Sequence, residues 1–187
     1  IYTVRQLLQL TREAFGGVPR EDTTWLKEGL YYDALRPSVE PGGLDTPEEV
    51  QLHRKRHLWA VQHMFRKAGV FIFTLGLTEA WVDRASKVVY PTAPGTIAGD
   101  YDPERFRFRN FRYDEIHADF LRFREKVREV NPGIRFILTV SPVPLTATAT
   151  DEHVLVATMH SKSVLRAVAG SLAHEFDDID YFPSYEI

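Results

Sequence analysis

Two continuous apolar runs, VFIFTL at Val70–Leu75 and RFILTV at Arg135–Val140, constrain this chain more than any other feature. Both are short, bounded by turn residues and rich in β-branched and aromatic side chains, so they read as buried strands. Stretches of helical period separate the strand-like segments. Residues 113–130 carry Ile116, Phe120, Phe123, Val127 and Val130 on one face, and residues 152–176 carry Val154, Thr158, Ser161, Leu165, Val168, Leu172 and Phe176. DIDYFPSYEI continues the alternation as a third strand. Strand, helix, strand, helix, strand demands right-handed crossovers and a parallel sheet. Runs without polar alternation suit a sheet covered on both faces. The expected fold class is therefore α/β, in three layers, as a single domain over residues 1–187.

The first third is less regular. Val4, Leu7, Leu8, Leu10 and Phe15 make a helical pattern that Gly16-Gly17 should stop. A stretch rich in Gly, Pro and aromatics runs from Pro19 to Pro47, and within it TTWLKEGLYYDALRP reads as a hairpin turning at Glu28-Gly29. A helix follows, with Thr46 as N-cap, Pro47 at its first position and Glu48 and Glu49 at its positive end. Its inward stripe reads as Val50, His57, Val61, Met64 and Ala68, and Gly69 stops it. After the first strand, AWVDRASKVVYP suggests a small hairpin, and TAPGTIAGDYDPERFRFRN reads as a long irregular excursion.

The bulk numbers exclude several functions. An apolar fraction of 44% and a charged fraction of 26% are those of a globular protein with a core. The net charge of −3 gives no case for nucleic acid. With no cysteine there is no disulfide, thiolate metal site or cysteine nucleophile. No apolar run reaches the roughly 18 residues of a membrane span. The opening residues show no signal-peptide pattern, so a cytoplasmic location is the expectation. Neither a Walker loop nor a dinucleotide fingerprint occurs, and no cofactor or metal is expected.

In open α/β sheets ligands bind beyond the carboxyl ends of the strands. Three such ends can be placed: TLGLTEAW, TVSPVPLTAT and YFPSYE. They offer Gly76, Thr78, Glu79 and Trp81 at the first, Ser141, Thr146 and Thr148 at the second, and Ser184 and Glu186 at the third. Turn formation and capping compete for the same residues; Thr150 or Asp151 is a natural cap for the helix that follows. Other patterns lead nowhere. Asp114 and His117 have the spacing of a hydrolase pair but fall in the first turn of a helix. Ser171 lies inside a helix rather than on the sharp turn a nucleophile needs. His53 and His57 share a helix face without a third ligand nearby. In HSKS, Lys162 reads as solvated.

Taken together, FTLGLTEAW, TVSPVPLTAT, SKSVLRA and YFPSYEI resemble the GSCFA family of bacterial proteins, and IYTVRQLLQL resembles the stretch after that family's N-terminal signature. The family is grouped with the SGNH (GDSL-like) hydrolases. The resemblance implies a flavodoxin-like α/β/α sandwich and the chemistry of serine esterases, lipases, deacetylases or acyltransferases. It implies a nucleophilic serine in the signature, upstream of Ile1, and a D-x-x-H pair downstream of Ile187. The chain would then be an incomplete domain, truncated at both ends, inactive by itself and prone to aggregate. Gly76-Leu77-Thr78-Glu79 would stand at the superfamily's Gly-x-Asn-Asp block, with Thr78 where the oxyanion asparagine is expected. Gly76, Thr78 and Glu79 are the candidate catalytic positions; Trp81, Ser141, Thr146 and Ser184 are the candidate substrate contacts. The expected partner is a small-molecule or carbohydrate acyl ester, and the alternative is a non-catalytic module that binds carbohydrate or protein. The oligomeric state stays open.

Overall fold

A computed structural model of the chain describes residues 1–16 and 23–187. Gly17, and the start of the Gly- and Pro-rich stretch from Pro19, lie outside the described residues. The described chain is mixed α/β, with four helices and eight strands. In chain order these are α1 Val4–Ala14, β1 Thr24–Lys27, β2 Leu30–Asp33, α2 Pro47–Lys67, β3 Val70–Leu75, β4 Glu79–Asp83, β5 Val89–Tyr90, β6 Phe106–Asn110, α3 Tyr113–Arg128, β7 Arg135–Val140, α4 Val154–Glu175 and β8 Ile179–Tyr181. They divide between two compact units, one of residues 1–8, 65–79 and 110–187, the other of residues 9–64 and 80–109.

The first unit is built on a parallel sheet in the order β3-β7-β8. Val70 pairs with Arg135 and Leu75 with Val140, while Phe136 pairs with Ile179. The helices α3 and α4 pack side by side. Phe120 and Phe123 of α3 lie against Phe136 of β7, and Phe123 also meets Phe71 of β3. The opposite side of β3 is open: Val70 is 51% and Ile72 63% exposed. Cover on both faces, the reading of VFIFTL as a continuous run, does not hold for this strand. An uncovered face can be as apolar as a buried one, so the pattern alone could not separate them.

Asp178, in the turn from α4 to β8, ties that turn to α3. It accepts from Arg124 Nη2 and Arg128 Nη1, each at 2.7 Å. Burial pushes the Asp178 carboxyl up, but those hydrogen bonds and charges outweigh it and hold the group below the usual carboxylate range.

The second unit contains the β1-β2 hairpin and the sheet β5-β4-β6. The hairpin turns at Glu28-Gly29, both at positive φ (52° and 81°), the primed-turn geometry that matches strand twist. Trp25, Tyr32, Tyr90 and Phe106 form its core. The expected irregular excursion is corrected at its end, because residues 106–110 form β6 beside β4. Phe and Arg alternate strictly there, a strand signal set inside a Gly- and Pro-rich stretch. The stripe of α2 also shifts: Phe65 is buried and Met64 exposed, while Val50, Arg54 and Val61 face inward. A period of 3.6 moves the buried face round by one position over so long a helix.

Candidate functional site

Because β3, β7 and β8 are parallel and in register, their carboxyl ends lie at one edge of the sheet. Beyond β3 the chain turns through residues 76–78. The N–H groups of Gly76 and Leu77 both donate to the Tyr2 carbonyl oxygen, at 3.2 and 3.0 Å. A Cβ on Gly76 would stand 3.2 Å from that oxygen, so close backbone approach explains the glycine. The Gly76 carbonyl accepts from Lys162 Nζ at 2.9 Å. Thr78 is fully buried. Its N–H and its hydroxyl both donate to Ser161 Oγ, at 3.3 and 3.2 Å, and its carbonyl accepts from the Phe111 N–H at 2.8 Å. The Thr78 hydroxyl is therefore committed to α4.

Glu79 follows the turn, largely buried, with Oε1 accepting from the Thr148 hydroxyl at 2.9 Å. Thr148 also meets Thr150 at 3.0 Å. Burial pushes the Glu79 carboxyl above its ordinary range, and Glu152 adds to that push; the Thr148 hydrogen bond and His160 oppose it. A carboxyl raised by folding binds its proton more tightly in the folded chain than in the unfolded one. Its contribution therefore lowers stability as pH rises from the ordinary carboxylate range through the raised value. Glu79→Gln is expected to remove that slope, so the melting temperature of the variant should gain on the parent between about pH 4 and pH 7. Parallel thermal melts at the two pH values check this, and an unchanged difference would contradict it.

The other strand ends are held by their own polar groups. Ser141 donates its N–H to the Leu75 carbonyl at 2.9 Å and accepts at Oγ from the Val143 N–H at 3.3 Å. Ser184 pairs with the Thr139 hydroxyl and donates to the Val140 carbonyl at 3.0 Å. Thr146 is exposed on the loop before α4. Gly76, Thr78, Glu79, Ser141 and Ser184 thus come to one sheet edge. Trp81 falls in the second unit, where Tyr101 and Phe108 meet its ring edge-on at 5.2 and 5.9 Å.

Two sequence readings need correction. Lys162 is not solvated: it is 1% exposed and bonded to the 76–78 turn. The signal was present, since Lys162 sits three residues before Leu165 and seven before Ala169, both buried on α4. Ser161 stood on the expected inward stripe, and its burial beside Thr78 gives it a partner. Finally, neither Thr150 nor Asp151 caps α4; His153 does, accepting from the Leu155 N–H at Nδ1.

The pair of Asp114 and His117 does not form a catalytic couple: Asp114 binds Arg112 at 2.9 Å and His117 binds Glu175 at 3.0 Å. His53 contacts Glu40 at 3.4 Å. Among the described residues no helix is long and apolar enough to cross a membrane.

The model of the GSCFA family matches residues 1–187. The chain belongs to the GSCFA family. Neither a curated protein nor a solved structure matches it. In this GSCFA chain the segments FTLGLTEAW, TVSPVPLTAT and YFPSYEI all reach the same sheet edge, and SKSVLRA supplies Ser161 and Lys162 behind the first of them.

Proposed function

We propose that this GSCFA chain is the central part of an SGNH-like domain that transfers or hydrolyses the acyl group of a small-molecule or carbohydrate ester. The observation that carries the reading is the convergence of three strand ends, with the 76–78 turn and Glu79, at the edge where α/β folds bind ligands. In this reading the domain is a bacterial three-layer, flavodoxin-like sandwich, and a further layer covers the open face of Val70 and Ile72. Residues flanking 1–187 supply the serine nucleophile and the Asp-x-x-His general base. Thr78 serves the site by orienting its neighbours, because its hydroxyl is spent on Ser161. Ser141 and Thr146 line the ester's approach, and Ser184 fixes the last strand end.

The division of labour can be tested with p-nitrophenyl acetate. The full-length protein is expected to hydrolyse it, and residues 1–187 alone are expected to give only the buffer rate. Turnover by the 187-residue chain at the full-length rate would overturn the assignment of the nucleophile.

A further inference from the structure

A lysine with 1% exposure on α4 is a costly feature unless something uses it. Lys162 forms no ion pair among the described residues, and the partner it finds is the neutral carbonyl of Gly76, at 2.9 Å. A buried ammonium that lacks a counter-charge loses far more solvation than one carbonyl returns. Burial accordingly lowers the Lys162 ammonium from its ordinary value. Methionine or leucine would fill the same space without that cost. Positions that break a packing rule in this way concentrate at functional sites.

The contacts show what the charge acts on. Gly76 O and the Leu77 N–H belong to one peptide group. A cation at the oxygen polarises that group and strengthens its N–H as a donor. The Leu77 N–H, with that of Gly76, grips the Tyr2 oxygen. One residue before Lys162, Ser161 Oγ receives both donors of Thr78. A single turn of α4 therefore holds the 76–78 turn at its first carbonyl and its last amide. It also fixes, through the Leu77 N–H, the segment at Tyr2.

We propose that Lys162 and Ser161 are positioning residues of the acyl-transfer site, holding the 76–78 turn and coupling it to the Tyr2 segment through the charge of Lys162. This rests on the proposed function, since the Tyr2 segment is the stretch that would follow the nucleophile-bearing signature. Neither side chain touches substrate; both act through the geometry of the turn.

The test uses the full-length protein with Lys162→Met, which keeps volume and removes charge, Lys162→Arg, which keeps charge, and Ser161→Ala. Two readouts are taken: amide hydrogen exchange at residues 76–78, and kcat and KM for p-nitrophenyl acetate. Lys162→Met is expected to speed exchange at Leu77 and to lower kcat, each by about 10- to 100-fold, the worth of one charge-assisted hydrogen bond. KM should stay within about twofold, as for a group that acts on the reacting geometry rather than on substrate binding. Lys162→Arg should recover most of the kcat, which a role in packing alone would not predict. If Lys162→Met does not fold, Ser161→Ala carries the same test at the Thr78 amide. Parental exchange at the turn overturns the proposal. Faster exchange with parental kcat also overturns it, because the turn would then be held for stability alone. A full-length parent with no ester turnover defeats the functional reading, whereas the exchange arm still decides whether α4 holds the turn.

Discussion

Phe123→Ala is expected to lower the unfolding free energy by about 3–5 kcal/mol, the range for deleting a large buried aromatic. Phe123 is fully buried on α3, and four other rings surround it: Phe120 at 5.5 Å, Phe71 at 5.6 Å, Phe65 at 5.7 Å and Phe136 at 5.8 Å. It is the point where α3, the end of α2 and the strands β3 and β7 meet. Truncation leaves a cavity bounded by rigid rings on two strands and two helices, which cannot collapse far. The midpoint of thermal unfolding should fall by roughly 10 °C, at about 2–4 °C per kcal/mol for a chain of this size. Phe123→Leu retains most of the volume and should cost less than half as much. Denaturant titration of both variants checks the claim. A loss of under about 1 kcal/mol for the alanine variant would show that the site relaxes.

Arg54→Met is expected to cost a similar amount, about 3–5 kcal/mol, for an electrostatic reason. Arg54 is 5% exposed on α2. Its guanidinium stands between two largely buried carboxylates, bonded to Glu13 through Nη2 and to Asp33 Oδ1 at 3.3 Å through Nη1. Methionine fills the space but leaves two anions facing one another without the cation between them. The double variant Arg54→Met/Glu13→Gln should therefore be more stable than Arg54→Met alone. His57 gives an independent check. Burial, then Arg36 and Arg54, lower its imidazole to about 4, and Asp33 opposes them. Removing Arg54 should raise that value, readable by NMR titration; an unmoved His57 would place the guanidinium elsewhere.

These two sites show what could be read from the chain. Phe120, Phe123 and Val127 recur at helical spacing between two apolar runs, so α3 and its inward face followed from pattern. The parallel sheet followed from the alternation of strands and helices, and the hairpin from Glu28-Gly29. Arg54 was invisible because a charged residue on a helix defaults to solvent, and its partners Glu13 and Asp33 lie on elements distant in sequence. Lys162 defaults to solvent in the same way, although its spacing to Leu165 and Ala169 marks the buried face of α4. β6 was hidden because its Phe and Arg alternation sits in a segment whose glycines and prolines read as loop.

The candidate site divides in the same way. Gly76, Thr78, Glu79, Ser141 and Ser184 could be named because they follow apolar runs, and strand ends are where ligands bind. What those residues do was set by contacts that no local pattern encodes. The Thr78 hydroxyl turns to Ser161, 83 positions away. Glu79 meets Thr148 across 69 positions. Packing of α4 against the sheet creates the first contact and the course of the loop between β7 and α4 the second, and sequence spacing carries no information about either.

The proposed function puts the nucleophilic serine outside residues 1–187 and its scaffold within them. Labelling the full-length protein with a fluorophosphonate probe, followed by peptide mapping, tests this most directly. One modified serine is expected, in the segment preceding Ile1, with labelling slowed in Lys162→Met. No labelling of the folded protein, or a label on a serine within residues 1–187, would contradict it.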